Sequence, residues 1–236
     1  MRLGGLQKLT LLDFPEHVAC TVFTLGCNMR CPFCHNSSLV IPGREHVEGE
    51  IEEDEFFSFL DKRKGLLEGV AITGGEPLLQ KDIREFIKKI RDKGLLVKLD
   101  TNGSFPEKLK ELIDEGLVDY VAMDVKSTMK GYGSICGLKD PPTNRLKESI
   151  SILMEGKVPY EFRTTVVDEF HDEEVFEGIA DLIEGAKRYF LQRFEDSGEL
   201  IEEDKFHPAS EEKMERLLAL VRKKVPAAQI RGGEIL

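Results

Sequence analysis

Cys27, Cys31 and Cys34 stand in the run Gly26-Cys27-Asn28-Met29-Arg30-Cys31-Pro32-Phe33-Cys34-His35-Asn36. The spacing C-x3-C-x2-C puts three thiolates on one short loop, and thiolates are the ligands that iron–sulfur clusters use. A four-iron cluster held by three cysteines keeps one iron open to an outside ligand, by the logic that leaves a catalytic zinc with one open position. Zinc is the competing reading, and it asks for a fourth protein ligand. His35 is adjacent to Cys34 and is poorly placed to complete the same tetrahedron. Cys20 or Cys136 could do so only if the fold brings one of them near. Cys136 as a fourth ligand would also suit a four-cysteine electron-transfer cluster. A disulfide framework fits worse, because the chain is long, holds five cysteines and shows no apolar signal core in Met1 to Thr10. The same features set the expectation of a cytoplasmic protein with reduced thiols.

The other residues that could do chemistry recur at intervals. Thr73-Gly74-Gly75-Glu76-Pro77 combines two glycines, which let the backbone turn and a ligand approach, with a carboxylate able to accept from an ammonium group. Asp100 and Asn102 could bind ribose hydroxyls or cap a turn. Asp124 and Lys126 point the same way by strand alternation and could pair with each other instead of with a ligand. Arg163 could hold a carboxylate bidentately or serve a structural ion pair. Thr165 and Gln192 complete the series. His17, His46, His171 and His207 show no metal spacing, so packing or surface roles are expected for them. Cys20, inside an apolar strand, reads as an inert core thiol.

The elements that must position these residues alternate. Strand-like runs cover His17 to Thr24, Gly69 to Thr73, Leu95 to Asp100, Tyr120 to Val125, Tyr160 to Val167 and Arg188 to Phe194. Helical periodicity covers Glu52 to Lys62, Lys81 to Lys93, Pro106 to Glu115, Asn144 to Glu155, Asp172 to Glu184 and Ser210 to Lys224. Such alternation predicts βαβ units and a parallel sheet, as a partial (β/α)6 barrel or an open Rossmann-type sheet. Every candidate group falls at or near the C-terminal end of a strand. In a parallel barrel those ends form one rim, where active sites are built. The expected organisation is a single domain over 1–236, with 195–236 as a C-terminal loop and helix extension. The acidic stretch 195–205 reads as a surface loop near that rim and a weak candidate for a docking edge.

Composition excludes some classes. The chain has 236 residues, is 41% hydrophobic and carries a net charge of −11. That balance argues against a general nucleic-acid binder, which needs basic surface to neutralise phosphates. No apolar run reaches the ~18 residues of a membrane span.

C-x3-C-x2-C after the first strand followed by Gly-Gly-Glu-Pro after the second resembles the radical S-adenosylmethionine superfamily, over roughly residues 5 to 195. Gly5-Leu6-Gln7-Lys8, Leu11-Leu12-Asp13-Phe14-Pro15 and the run from Gly26 to Asn36 are similar to anaerobic ribonucleoside-triphosphate reductase activating proteins, with pyruvate formate-lyase activators as close relatives. The resemblance implies a partial barrel of the radical SAM type. It implies one 4Fe–4S cluster on Cys27, Cys31 and Cys34, with S-adenosylmethionine chelating the fourth iron. It implies cleavage to a 5′-deoxyadenosyl radical that takes a hydrogen atom from a glycine of a partner glycyl radical enzyme. An electron donor such as flavodoxin or ferredoxin is implied too. Gly74, Gly75 and Glu76 would sit at the methionine amino group. Asp100, Thr101 and Asp124 fall where pyruvate formate-lyase activators place a monovalent cation and parts of the cofactor site. Lys126 belongs to the same D-x-K pattern, and Arg163 matches an arginine on the fifth strand. Two departures stand out. Ser127 to Gly133 lacks the histidine of the pyruvate formate-lyase branch, which leaves the cation only partly supported. Glu16 replaces a glycine that many relatives carry after the proline, a change expected to be harmless. No cysteine-rich insert suggests a second cluster. A radical enzyme of the same fold acting on a small molecule is the alternative function.

Overall fold

The computed structural model describes residues 1–40, 49–196, 198, 200–202 and 204–232. His46 lies outside them. Eight strands form one sheet in chain order: β1 (Leu3–Thr10), β2 (Ala19–Thr24), β3 (Gly69–Gly74), β4 (Leu96–Thr101), β5 (Tyr120–Asp124), β6 (Tyr160–Val166), β7 (Tyr189–Arg193) and β8 (Gln229–Arg231). β1 is antiparallel to β2, and every later neighbour is parallel. Among the described residues β1 and β8 end the order without pairing with each other, so the barrel is partial.

The six expected strands are present, and two more flank them. β1 hides from sequence inspection because two glycines interrupt it and only its ends, Leu3, Gly4 and Thr10, are buried. β8 has three residues, too few for a pattern to show. The expected C-terminal loop and helix therefore also extend the sheet by a strand.

The helices are α1 (Ser37–Val40), α2 (Glu53–Lys62), α3 (Ile83–Arg91), α4 (Pro106–Asp114), α5 (Tyr132–Cys136), α6 (Thr143–Met154), α7 (Glu173–Leu182) and α8 (Glu211–Val221). Their apolar faces do what periodicity requires. Ile83, Phe86, Ile87 and Ile90 of α3 and Leu109 and Leu112 of α4 are buried against the outer face of the sheet, with Val97, Leu99 and Val121. α5 arises in a segment whose glycines suggest a loop. Its C-terminus is closed by Gly137 in a left-handed conformation at φ 66°.

The opposite face of the sheet is polar, and strand alternation builds it. Lys98 and Asp100 on β4, Asp124 on β5, Arg163 and Thr165 on β6, and Gln192 on β7 share the inward side. Register sets Asp124 beside Arg163 and Thr165 beside Gln192. Lower down, Glu161 is fully buried. It accepts from Tyr120 at 2.9 Å and bidentately from Arg231 of β8 at 2.7 and 3.0 Å. Phe14, packed on Ala19 and Tyr120, closes the N-terminal end.

Glu16, in the hairpin that delivers Phe14, stands at φ 68°. A side chain in that left-handed region costs about 1–2 kcal/mol. Glycine would remove that strain while loosening the unfolded chain by about 0.5–1 kcal/mol. Glu16→Gly is therefore expected to raise stability by about 0.5 kcal/mol in denaturant unfolding; a loss would show that the Glu16 side chain holds the hairpin.

Candidate active site

A cavity of about 240 Å³ opens at the C-terminal strand ends. Ten of the eleven residues singled out from sequence line it: the three cysteines, Gly74, Gly75, Asp100, Asn102, Asp124, Lys126 and Arg163. Glu76 does not. Met29, Phe33 and Val40 add an apolar wall, and Thr73, Thr101, Thr165 and Gln192 add hydroxyls and an amide.

The cysteine loop follows β2, and backbone bonds from all sides fix it. Gly26 N–H donates to Leu39 at 2.7 Å, Arg30 N–H to Cys136 at 2.8 Å, and Cys34 N–H to Cys31 at 3.0 Å. The Arg30 guanidinium donates to the carbonyls of Cys27 and Met29 at 2.7 and 2.6 Å. Phe33, between Cys31 and Cys34, anchors the loop in an aromatic cluster with Phe170, Phe194 and Phe206 at centroid distances of 5.7, 6.4 and 6.2 Å. Phe206 brings the C-terminal segment over this loop, and Glu202 N–H donates to Pro32 at 2.9 Å. The described part of 195–205 therefore does lie at the rim.

Burial pushes the Cys27 thiol up to about 11 and Cys31 up to about 12, and raises Cys34 as well. Lys126 opposes that rise at all three. Loading the thiols with iron must then expel their protons into water. Cys136 is buried and does not line the cavity. Among the described residues, no three His, Cys, Asp or Glu side chains are placed to hold a single metal ion. Among the described residues the cavity therefore offers no built mononuclear zinc site, and the three thiols that line it are the donor type a cluster uses.

Gly74 and Gly75 are needed first by the protein itself. A Cβ on Gly75 would stand 2.0 Å from the Gly26 carbonyl oxygen, and one on Gly74, at φ 113°, would stand 2.4 Å from Thr24 N. This contact seats the loop after β3 on the root of the cysteine loop, with Gly75 N–H donating to Thr24 at 2.9 Å and Glu76 N–H to Gly26 at 2.8 Å.

Glu76 lies beneath the cavity, fully buried. Its carboxylate accepts from Leu78 N–H at 3.0 Å, Thr101 Oγ1 at 2.8 Å and Asn102 N–H at 2.7 Å. Burial pushes the carboxyl up to about 7 against those donors. The expected contact with an ammonium group thus gives way to a tie between the β3 and β4 loops. Glu76→Gln keeps the size but turns an amide donor toward backbone N–H groups. It is expected to cost about 2 kcal/mol in denaturant unfolding; an unchanged midpoint would show the site relaxes freely.

Asn102 caps its own turn by accepting from Ser104 N–H at 3.0 Å, and its amide reaches Asn28 at 2.9 Å and the Cys27 sulfur at 3.8 Å. Asp100, Arg163, Asp124 and Lys126 form a chain of alternating charge. Lys98 pairs with Asp100, Arg163 bridges Asp100 and Asp124 at 3.0 Å to each, and Lys126 meets Asp124 at 3.0 Å. Burial would raise the Asp124 carboxyl, but Lys126 and Arg163 outweigh it and hold it well below the usual range. Asp100 is lowered in the same way, burial being outweighed by Arg163 and Lys98. Burial would likewise favour neutral Lys126, and Asp124 reverses that.

Both carboxylates have folded-state pKa values below their unfolded values. Their contribution to stability is present above the unfolded pKa, ~4, and disappears as pH falls toward the folded values. The wild type is expected to lose stability more steeply than Arg163→Met between about pH 5 and pH 2.5. Equal slopes would show that Arg163 does not depress the pair.

Two residues set this wall: Tyr132, to which sequence inspection gave no role, and His171, for which it expected a packing or surface role. The Tyr132 hydroxyl accepts from Lys126 N–H at 3.0 Å and donates to the Asp124 carbonyl at 3.4 Å. His171 accepts from Val167 N–H at Nδ1, 2.9 Å, so Nε2 carries the proton and donates to the Lys126 carbonyl at 2.9 Å. Nothing in their spacing marks them, because α5 and the turn before α7 meet only in the fold. His17 is half-buried beside Phe14, and His207 is exposed on Glu169. Cys20 is fully buried, and burial pushes its thiol up to about 12.

Residues 21–183 match the family model of the Radical SAM superfamily. The chain belongs to that superfamily. It is 36% identical over 230 residues to "Putative glycyl-radical enzyme activating enzyme MJ1227" of Methanocaldococcus jannaschii, covering 94% of this chain and 92% of the relative. It is 33% identical to the 7-carboxy-7-deazaguanine synthase of Methanopyrus kandleri over 71% of this chain and 69% of that protein. Pyruvate formate-lyase-activating enzyme of Clostridium pasteurianum is 29% identical over 58% of this chain and 57% of its own length. Among solved structures, Streptococcus suis SuiB bound to S-adenosylmethionine superposes with a TM-score of 0.67 at 14% identity, covering 89% of this chain and 49% of that one. A domain of the Bacteroides vulgatus pyruvate-formate lyase-activating enzyme gives 0.56 at 22% identity, covering 70% and 99%. These likenesses show the fold. Membership in the superfamily implies a 4Fe–4S cluster and S-adenosylmethionine, and the donor set lining the cavity fits both: three thiols, a chain of charged side chains and two backbone glycines. Among the described residues no helix is long and apolar enough to cross a membrane.

Proposed function

We propose that the chain is an activase that takes a hydrogen atom from a glycine of a partner glycyl radical enzyme, anaerobic ribonucleoside-triphosphate reductase being the partner of choice. The observation that carries this reading is the similarity to an M. jannaschii protein named as a glycyl-radical enzyme activating enzyme across nearly the full length of both chains. Bound together, the cluster and S-adenosylmethionine supply one-electron chemistry and hydrogen-atom abstraction. The chain supplies the rest. Cys27, Cys31 and Cys34 hold the iron, and Lys126 sets a positive charge toward the thiolates. Three cations against two carboxylates leave the wall of Lys98, Asp100, Arg163, Asp124 and Lys126 one positive charge in excess. That excess suits the carboxylate of a methionine group. The backbone at Gly74 and Gly75 offers acceptors to its ammonium. Met29, Phe33 and Val40 keep water from that side of the cavity. Asp100, Thr101 and Asp124 remain candidate partners of a monovalent cation, and a flavodoxin or ferredoxin would deliver the electron.

The second reading is a radical enzyme for a small molecule, favoured by the likeness to 7-carboxy-7-deazaguanine synthase. Activation of another glycyl radical enzyme, such as pyruvate formate-lyase, is a variant of the first.

The test is anaerobic. Reconstituted protein, S-adenosylmethionine, a strong reductant and the ribonucleotide reductase of the same organism are mixed, and one tube is read for 5′-deoxyadenosine and by electron paramagnetic resonance. The expected result is a glycyl radical doublet that disappears with Cys31→Ala. Deoxyadenosine without the doublet would reject this partner and move the reading to another target.

A further inference from the structure

Beside the first cavity lies a second, of about 370 Å³, between the ends of β6 and β7 and the edge strand β8. The two share His35, Thr165 and Gln192. Whatever fills the second cavity therefore meets the first across those three side chains. The thiols and the charge chain belong only to the first.

The charges of the second cavity are informative because its cations are already committed. Arg193 binds Glu211 at 2.5 Å and the Gly232 carbonyl at 2.9 Å. Arg231 is held bidentately by buried Glu161, and its guanidinium lies 3.5 Å from the Phe190 ring centroid. Glu195 and Asp196 also line the cavity, and both are exposed. Asp196 meets only a backbone amide, Gly198 N–H at 2.8 Å, among the described residues. An anionic substrate would shed water there, find no uncommitted cation among the described lining residues and face two carboxylates.

The neutral groups point elsewhere. Thr165 and Gln192 are cross-strand partners, so a hydroxyl and an amide stand side by side at the junction. Neither side chain hydrogen-bonds to another described residue. Together they offer donors and acceptors of the kind a peptide backbone needs. β8 pairs only with β7 among the described residues, so the outer edge of Gln229–Arg231 can also receive an extended segment.

We propose that the second cavity is the substrate subsite and that it takes an extended peptide segment, uncharged or basic beside its reacting residue, while rejecting anions. Gln192 and Thr165 hold the peptide backbone at the junction, and Glu195 and Asp196 select against acidic neighbours. This rests on the activase reading and sharpens it, because a phosphorylated or carboxylated small molecule meets no counter-charge among the described residues here.

Two blocked octapeptides with a central glycine serve as probes, one with lysines and one with glutamates flanking the glycine. Their binding to reconstituted, S-adenosylmethionine-loaded protein is measured by calorimetry, alongside the glycyl radical assay with the ribonucleotide reductase. The lysine peptide is expected to bind at least tenfold more tightly. The exposed double variant Glu195→Lys/Asp196→Lys should invert that order, and Gln192→Leu should weaken both peptides and raise the KM for the reductase more than it lowers kcat. Equal binding of the two peptides, or tighter binding of the acidic one, with an intact wild-type glycyl signal overturns the subsite alone. Lysine-selective binding without any glycyl signal supports the subsite and overturns the activase reading with that partner.

Discussion

Two carboxylates shared among three cations govern the inside of this barrel. Asp100 and Asp124 stand on adjacent strands, and Arg163 reaches both from a third. Neither acid can be removed without leaving Arg163 half-paired in a confined space, a far costlier state than a broken surface pair. The chain of charges joins β4, β5 and β6 at the end where ligands must bind, a place where apolar packing would fill the cavity. Ion pairs keep it open and polar while still fixing strand order.

The cysteine loop depends on a different constraint, the close approach of two backbones. Gly74 and Gly75 have no side chains because the root of the cysteine loop occupies that space. Glu76 completes the joint from below by holding Thr101 and Asn102. Three loops from consecutive strands are thereby locked together, so the thiols and the charged wall share one rigid frame. Precise placement of this kind is what hydrogen-atom chemistry asks of a protein that leaves the reaction itself to its cofactors.

The open side of the sheet gives the protein its access. A closed barrel would pair its last strand with its first and leave the rim of strand ends as the way in. Here β8 is short, is latched by Arg231 on Glu161, and leaves a second polar cavity against the first. The same ion pair that secures the edge also commits one of that cavity's cations, so a contact that stabilises the fold sets the charge balance of the cavity beside it.

Much was legible in the sequence because its signals are local. Alternating apolar runs gave six strands, helical spacing gave six helices, and C-x3-C-x2-C with Gly-Gly-Glu marked the chemistry, since ligand spacing on one loop survives without any fold. Period-two alternation even put Asp124 and Lys126 on one side. Three things depended on tertiary structure. β1 and β8 are edge strands whose stability comes from a neighbour's hydrogen bonds, so their own residues carry little pattern. Glu76 looks like a ligand in sequence and is a buried tie in space, because only packing decides which side of a loop a carboxylate faces. Tyr132 and His171 hold the Asp124–Lys126 backbone from distant segments, and the second cavity takes its charge from Glu161 and Glu211 claiming its arginines. Such roles come from contacts between elements far apart in the chain, and no window of sequence contains them.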